Sequence, residues 1–395
     1  MKIMMLGLRA FPEVQGGVET HAEHLCPLLV KLGYDVTVIT RSAYQSEQIG
    51  AEWQGVKFKP LWAPKTKGLE AILHSFIGVL YAAIKRPDIL HIQAIGPGLM
   101  TLLARLLGLR VVVTHHGPDY ERQKWGRFAR LVLRLGERFG MRWSNGRVAI
   151  SKVITDLVRD KHGVESALIP NGVVLPQLPL STVALNQFGL IPERYVLLVG
   201  RLVPEKRHLD LIDAFVKAAI PGWKLVIVGG SDHPDSYQTS LVNRAVMTPN
   251  VVMTGFQKGL ALRELYAHAG LFVLPSSHEG LPIVMLEALS FGLPIIASGI
   301  PANLEVGLSQ EHYFPLGDID TLATKLKERV LNPIGPGERE FVRQWVVGRY
   351  NWQRIAENTA QLYKDVMDDK PHSVMKSHSV IKVTNQDTKL MGQFE

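Results

Sequence analysis

Two glutamates, Glu279 and Glu287, flank the start of a predicted helix, with seven residues between them. An apolar run, Leu271–Leu274, is typical of a buried strand, and turn-forming residues follow it. Residues 292–294 read Gly-Leu-Pro, which predicts a helix end. A strand, a loop and a helix in this order leave backbone N–H groups free to bind an anion. One ligand with a phosphate in its middle could contact both carboxylates, since about 7.5 Å of helix separates Pro282 from Glu287. A helix cap and a solvated helix residue remain the alternative.

Cations follow another predicted strand, Tyr195–Val199, in the run GRLVPEKR that begins at Gly200. Arg201 and Lys206 are the side chains of interest here, because arginine binds phosphate in bidentate fashion and lysine supplies a compact charge. Their position at the carboxyl end of a strand favours a phosphate site. Solvated charges at a strand end are the alternative.

Two weaker signals lie in the first third of the chain. Gly16 and Gly17 open a predicted helix after the first strand, where the backbone could approach a diphosphate closely; a tight turn without a ligand is the alternative. His116 ends another predicted strand beside His115 and Asp119. Their spacing matches no familiar metal site, so we expect no metal ion and favour a hydrogen-bonding or proton-handling role for His116. A structural histidine remains the alternative.

The composition indicates the class of protein but does not identify a specific partner. The chain has 395 residues, a formal net charge of +8 and 46% hydrophobic residues, which fits a two-domain soluble protein. The positive charge favours anionic partners such as phosphorylated substrates or an anionic membrane. One cysteine, Cys26, excludes an intrachain disulfide and fits a reducing cytoplasm. Apolar runs are too short for a signal-peptide core or a membrane span, so we expect a cytoplasmic protein.

The pattern of strands and helices predicts an α/β protein built from two doubly wound, Rossmann-like halves in tandem. We expect a first domain over residues 1–175, a linker over 176–192 and a second domain over 193–350. Residues 351–367 form a last helix, and 368–395 a tail that we expect to be disordered. Ligands of such sheets lie beyond the carboxyl ends of the strands, so two facing halves would bind them in a cleft.

A basic amphipathic helix is predicted near residues 127–141, within a basic stretch that covers residues 122–142. Its basic face carries Arg127, Arg130, Arg134 and Arg138. Its apolar side carries Trp125, Phe128, Leu131, Val132, Leu135 and Phe139. Such a helix could lie on an anionic membrane, and the alternative is a helix packed on the sheet with a solvated basic face. We expect no nucleic-acid partner, because no base-stacking or groove-reading module is present.

Together these motifs resemble the family 4 retaining glycosyltransferases, which have the GT-B fold. EGLPIVMLE, residues 279–287, resembles the family's E-x7-E element, and GRLVPEK, residues 200–206, resembles its diphosphate motif. Residues 16–19 resemble its glycine loop, and the last helix resembles one that crosses back to the first domain. HHGPDYERQKWG, residues 115–126, is most similar to a bacterial branch that adds sugars to lipid-linked polysaccharide precursors.

The resemblance implies a role for each matching residue. Arg201 and Lys206, next to Gly200, would neutralise the diphosphate of the donor, and Glu287 would bind the ribose hydroxyls. Glu279 would hold the transferred sugar with the loop amides around Gly280, Leu281 and Pro282. The remaining implied contacts are Gly17, with Gly16, on the diphosphate and His116 near the reacting face of the sugar. Arg207 and His208 depart from the family, in which glycine often follows the lysine.

The implied function is transfer of a hexosyl group from a nucleoside-diphosphate sugar, a co-substrate rather than a cofactor, to a lipid-linked or growing saccharide in cell-surface polysaccharide biosynthesis. We expect metal-independent electrostatic catalysis and a front-face displacement that retains the anomeric configuration. Localisation at the inner face of the cytoplasmic membrane would follow. Two alternatives stay open: a nucleotide-sugar epimerase of GT-B architecture, and a non-catalytic sugar-nucleotide-binding module. The motifs leave open the donor base, the sugar and the acceptor.

Overall fold

A computed structural model describes residues 1–45, 50–64, 66, 69–122, 125–231 and 235–369. The chain divides into two compact units. Unit 1 contains Met1–Gly172 together with the described residues from Asn351 onward, and unit 2 contains Val173–Tyr350. The tail predicted over 368–395 lies outside the described residues from position 370 onward.

Unit 1 is a sheet covered by helices, with elements numbered in chain order. Its described strands are β1 (Lys2–Leu6), β2 (Asp35–Arg41), β3 (Glu52–Trp53), β4 (Val56–Leu61), β5 (Ile89–Gln93), β6 (Val111–His115), β7 (Gly146–Ala149) and β8 (Ala167–Leu168). Its helices are α1 (Gly17–Lys31), α2 (Leu69–Lys85), α3 (Thr101–Leu106), α4 (Arg127–Trp143), α5 (Lys152–His162) and α14 (Trp352–Met367). The strand order is β3-β4-β2-β1-β5-β6-β7-β8, and every pair is parallel except β3 with β4.

Unit 2 is a second, wholly parallel sheet. Its strands are β9 (Tyr195–Val199), β10 (Lys224–Val228), β11 (Val251–Gly255), β12 (Leu271–Leu274), β13 (Ile295–Ser298) and β14 (Tyr313–Phe314), in the order β11-β10-β9-β12-β13-β14. Its helices are α6 (Val183–Gln187), α7 (His208–Ala218), α8 (Ser236–Val246), α9 (Gly259–Ala267), α10 (Ile283–Ser290), α11 (Pro301–Leu304), α12 (Ile319–Leu331) and α13 (Pro336–Arg349).

The predicted architecture of two doubly wound parallel sheets is confirmed. In each sheet a central strand is a buried apolar run, β1 from Ile3 onward and β9 throughout, as expected for strands covered by helices on both faces. Sequence analysis missed the β3–β4 hairpin and helices α8 and α13. The segment predicted as a linker, residues 176–192, contains α6, where the backbone N–H of Ala184 donates to Glu264 of α9.

Helix α14 completes the core of unit 1, as predicted for a last helix that returns to the first domain. Its buried residues, Trp352 and Tyr363 among them, pack with apolar residues of α1 and the sheet. The Tyr363 hydroxyl lies 2.7 Å from Nδ1 of His91 in β5. Cys26 of α1 belongs to the same core and is fully buried, and burial raises the pKa of its thiol, which fits a packing role.

The buried face of α4 includes two glycines, Gly136 and Gly140. A Cβ atom on Gly136 would lie 2.1 Å from the Ile95 carbonyl oxygen, and one on Gly98 would lie 2.8 Å from the Gly136 carbonyl oxygen. The backbones therefore approach too closely for side chains, so the buried face of α4 contains glycine. The interpretation that the predicted apolar side packs on the sheet is wrong for three residues. Those left exposed are Phe128, Leu131 and Leu135.

Within the described residues, no helix is long and apolar enough to cross a membrane.

Candidate functional site

The carboxyl ends of β9 and β12 lie side by side in unit 2. Strand β9 pairs with β10 on one side and with β12 on the other, so the sheet order reverses direction between β9 and β12. Open α/β sheets bind ligands at such a switch point. The backbone N–H of Ser277 donates to the Glu205 carbonyl oxygen at 2.8 Å, which ties together the loops that follow the two strands.

These two loops bring Lys206 and Glu279 into contact. The Nζ atom of Lys206 donates to Oε1 of Glu279 at 2.5 Å, and the two side chains are only 14% and 12% exposed. Both residues were predicted as ligand contacts, but their pairing was not. An ammonium can bind a phosphate and a carboxylate can accept hydrogen bonds from hydroxyls, so the pair presents two complementary groups at one point.

The backbone around Gly200 fixes the position of Arg201. The N–H of Gly200 donates to the Val228 carbonyl oxygen at 2.9 Å, and the N–H of Leu202 donates to that of Gly230 at 3.0 Å. Arg201, which lies between these two bonds, is partly buried. The structure therefore places Gly200 and Arg201 in the same loop as Lys206, at the switch point.

The two residues that depart from the family pattern are engaged elsewhere. Nε of Arg207 donates to Asp210 at 2.6 Å within the first turn of α7. His208 is buried and contacts the Tyr237 hydroxyl through Nδ1 at 3.1 Å, and burial lowers the pKa of its imidazole to about 3. Arg207 is thus charge-paired and His208 is neutral, so together they add little net charge beside Lys206.

Glu287 lies in the middle of α10 and is oriented by a tyrosine that sequence analysis missed. The Tyr266 hydroxyl donates to Oε2 of Glu287 at 3.0 Å, and the Tyr266 ring stacks on Phe291 with 5.2 Å between centroids. Burial, together with the Glu287 carboxylate, raises the pKa of Tyr266 well above its usual value, so the hydroxyl remains a donor. Tyr266 lies in α9, 21 positions before Glu287, so their contact depends on the folded chain rather than on a local motif.

Gly280, Leu281 and Pro282 lead into α10. Pro282 is the N-cap of α10, with ψ of 91°, and the helix begins at Ile283. A proline suits this position because its missing N–H would have no helical partner there. Leu281 and Pro282 are buried and Gly280 is partly exposed. The predicted helix end is confirmed, because Gly292 has a φ of +74°.

In unit 1, Gly16 and Gly17 precede and open α1 over a buried ion pair. Nε of Arg9 donates to Oε1 of Glu19 at 3.0 Å, and Arg9 also donates to the Gln15 carbonyl oxygen. A Cβ atom on Gly16 would lie 2.1 Å from Oε2 of Glu19. Although burial opposes ionisation of Glu19, its contacts with Arg9 lower the pKa of its carboxyl. Gly16 is therefore required by packing, and its contact with a diphosphate stays a prediction.

His116 lies beside other buried histidines of unit 1. Its Nε2 lies 2.8 Å from Oε1 of Gln93, and its ring meets His21 edge-on at 5.0 Å between centroids. Since Nε2 of Gln93 donates to the sulfur of Met5, Oε1 of Gln93 is the acceptor and His116 donates from Nε2. Burial lowers the pKa of His116 well below its usual value. His116 is thus a neutral imidazole whose Nδ1 can accept a hydrogen bond.

Within the described ranges, no three His, Cys, Asp or Glu side chains are grouped so that they could hold a metal ion.

The family models of glycosyltransferases match most of the chain. The model described as Glycosyltransferase Family 4 matches residues 15–176, and the model described as Glycosyl transferases group 1 matches residues 189–340. With two Rossmann-like units in tandem, these matches define the protein as a GT-B glycosyltransferase. The chain belongs to the family 4 glycosyltransferases.

Individual proteins that are similar to this chain include glycosyltransferases. An uncharacterized glycosyltransferase of Methanocaldococcus jannaschii is 33% identical over 184 residues, which cover 45% of this chain and 46% of that protein. The UDP-Gal:alpha-D-GlcNAc-diphosphoundecaprenol alpha-1,3-galactosyltransferase of Escherichia coli is 27% identical over 74% of this chain and 79% of its own. The Anabaena HepE structure in complex with UDP-glucose superposes with a TM-score of 0.76 at 16% identity, covering 92% of this chain and all of that one.

The buried histidines of unit 1 predict a loss of stability in acid. Burial lowers the pKa of His91 to about 3 and, despite a hydrogen bond with Asn171, that of His21 to about 4. Between pH 6.5 and 4 the unfolded chain binds protons that the folded chain excludes, so stability is full above pH 6.5 and falls below it. We expect each such histidine to cost about 2 kcal/mol at pH 5, relative to pH 7.5.

Urea unfolding at pH 7.5 and pH 5.0 measures this effect. His91→Gln cannot be protonated there, so it should lose about 2 kcal/mol less than the wild type on acidification, whatever its stability at pH 7.5. The exposed change Gln353→Ala in α14 should keep the wild-type pH dependence. An equal acid loss in His91→Gln and wild type would contradict the assignment of a neutral, buried His91.

Proposed function

We propose that the protein transfers a sugar from a nucleoside-diphosphate sugar to a lipid-linked or growing saccharide acceptor in cell-surface polysaccharide biosynthesis. The observation that carries this proposal is the contact between Lys206 and Glu279 at the switch point of unit 2. Two relatives support it. The Escherichia coli enzyme is named for a UDP-galactose donor and a diphosphoundecaprenol-linked acceptor. The Anabaena structure is a complex with UDP-glucose.

Each polar group at the switch point has a proposed partner on the donor. Arg201 and Lys206 bind the diphosphate, and Glu279 accepts hydrogen bonds from hydroxyls of the transferred sugar. The N–H groups of Gly280 and Leu281, ahead of Pro282, add neutral donors next to the phosphates. Glu287, oriented by the Tyr266 hydroxyl, accepts from the ribose hydroxyls. Since Lys206 contacts Glu279 before the donor arrives, binding requires the ammonium to shift toward a phosphate or to be shared with it.

In this proposal catalysis is electrostatic. The leaving nucleoside diphosphate gains negative charge as the glycosidic bond breaks, and preplaced cations stabilise that charge more in the transition state than in the ground state. Arg201 and Lys206 perform this task without a metal ion. The acceptor hydroxyl attacks from the face that the diphosphate leaves, so the anomeric configuration is retained.

The proposed roles in unit 1 concern the diphosphate and the sugar. Gly17, the first residue of α1, offers a backbone N–H to the diphosphate, next to the packing-restricted Gly16. His116 binds near the reacting face of the sugar, and its neutral Nδ1 is suited to accept a hydrogen bond from a hydroxyl.

Substitution at the Lys206–Glu279 contact tests the assignment. We expect Lys206→Ala and Glu279→Ala each to lower the rate of sugar transfer at least ~100-fold, the scale for one preorganised charge-stabilising contact. The rate is measured with purified protein, a panel of nucleoside-diphosphate sugars and a saccharide acceptor. Lys217→Ala, which removes an exposed lysine paired with Asp320 in the same unit, is the matched control and should keep the wild-type rate.

Circular dichroism should show that each variant is folded. Rates near wild type in both Lys206→Ala and Glu279→Ala would refute the roles given to this pair. Formation of an epimer from donor alone, without transfer, would favour an epimerase instead.

We further propose that α4 binds an anionic membrane surface, which would keep the enzyme close to a lipid-linked acceptor. Its exposed side carries Phe128, 79% exposed, and Leu131, 54% exposed, and its sole acidic residue, Glu137, is buried. The exposed cations of the helix are Arg127, Arg134, Arg138 and Arg142. Apolar side chains beside an arginine stripe fit insertion at a lipid interface with anionic headgroups. The protein would then be peripheral on the inner face of the cytoplasmic membrane.

Flotation with anionic liposomes measures this association. We expect the protein to float with the vesicles at low salt and to be released at high salt, because the attraction is partly electrostatic. Changing Arg127, Arg134 and Arg138 together to Gln should abolish flotation. The matched control changes three exposed lysines of unit 2 to Gln, namely Lys217, Lys258 and Lys327. Absence of binding at low salt, or equal loss in the two triple variants, would contradict the proposal.

A further inference from the structure

Glu137 is a buried carboxylate of α4 that no contact of the proposed donor site explains. It is fully buried, and its oxygens meet polar groups from several elements of unit 1. Oε1 lies 3.0 Å from Nε2 of His115 and accepts from the Tyr120 hydroxyl at 3.1 Å, while Oε2 accepts from Lys161 of α5. Although burial opposes ionisation, the hydrogen bonds from His115, His162 and Lys161 hold the pKa of Glu137 well below its usual value. Glu137 is therefore an anion with a fixed orientation.

The bonds of His115 fix its tautomer. Nδ1 of His115 accepts from the backbone N–H of Gly117 at 3.1 Å, so this nitrogen carries no proton. The other nitrogen, Nε2, then carries the proton and donates it to Glu137. A carboxylate is an acceptor only, so it selects the tautomer that leaves Nδ1 free for Gly117.

The same bonds close a turn around His116. The side chain of His115 reaches over the next residue to the N–H of Gly117, and Gly117 has a φ of +136°, which favours glycine. His116 is the residue enclosed by this turn. Its ring position is also set by the contact between Nε2 and Gln93.

We propose that Glu137 is a positioning residue for sugar transfer: through His115 it fixes the turn that holds His116 at the sugar. This inference rests on the proposed function, in which His116 contacts the donor sugar. Glu137 itself touches no substrate. Its charge keeps the turn in one conformation, and loosening such a turn misplaces His116 relative to the reacting atoms.

Glu137→Gln is the central variant. The glutamine amide has a donor as well as an acceptor, so it can present N–H to Nε2 of His115 and favour the tautomer with the proton on Nδ1, which repels the Gly117 N–H. We expect kcat for sugar transfer to fall about tenfold or more. KM for the donor should change less than about threefold, because the substitution leaves the proposed diphosphate contacts of Arg201, Lys206 and Gly17 and the ribose contact of Glu287 in place.

Two further variants separate positioning from stability. Tyr120→Phe removes another hydrogen bond to Glu137 but leaves the His115–Gly117 turn, so it should lower thermal stability and keep kcat within about twofold of wild type. His115→Phe removes the acceptor for Gly117 and should reproduce the kcat loss of Glu137→Gln. If Glu137 acts through His115, the double variant should lose no more than either single variant.

The tautomer of His115 can be measured without an activity assay. Nitrogen-15 NMR of histidine-labelled wild-type protein, with the His115 signal assigned by its absence in His115→Phe, should show a proton on Nε2 and none on Nδ1. The other tautomer in wild type, an unchanged kcat in Glu137→Gln, or additive losses in the double variant would overturn the inference. A wild-type protein that transfers no sugar would refute the proposed function instead, and the tautomer would still show whether Glu137 sets the turn.

Discussion

The contact between Lys206 and Glu279 is the interaction on which the candidate site depends. It joins two loops that are 73 positions apart in sequence, and the bond between the Ser277 N–H and the Glu205 carbonyl oxygen joins their backbones as well. Two opposite charges that are largely shielded from water attract more strongly than a surface pair, yet each is costly to leave unpaired. A ligand with phosphates and hydroxyls can take over both partners at once, which suits a nucleoside-diphosphate sugar.

The sheet makes this contact available. Because β9 and β12 are parallel neighbours, the loops that follow them start next to each other, at the point where the strand order reverses. In unit 1, by contrast, functional candidates lie among neutral imidazoles and two buried carboxylates, Glu19 and Glu137, which hold the surrounding backbone. The candidate residues Lys206 and Glu279 of unit 2 are thus a charged pair, whereas the candidate His116 of unit 1 is neutral.

Sequence reasoning predicted the fold because local patterns of apolar residues and glycines determine it, and the roles of the predicted site residues stay predictions. Apolar strands such as Tyr195–Val199 and the glycine at position 292 have local causes. The sequence did not predict three contacts between distant segments. These are the hydrogen bond from Tyr266 to Glu287, the Arg9–Glu19 pair next to Gly16, and the contact between Glu137 and His115. Each links segments whose proximity only the folded chain sets. The packing of α4 was also out of reach of local patterns. Its glycine face makes the close backbone contact, and several apolar residues on its other side are exposed.

A crystal structure with a nucleoside diphosphate bound would show whether the switch point of unit 2 holds the donor. We expect the diphosphate beside Arg201, with Nζ of Lys206 moved from Glu279 onto a phosphate oxygen. We also expect the ribose hydroxyls on Glu287, with the Tyr266 bond intact. A nucleotide bound elsewhere on the chain, with the Lys206–Glu279 contact unchanged, would contradict it.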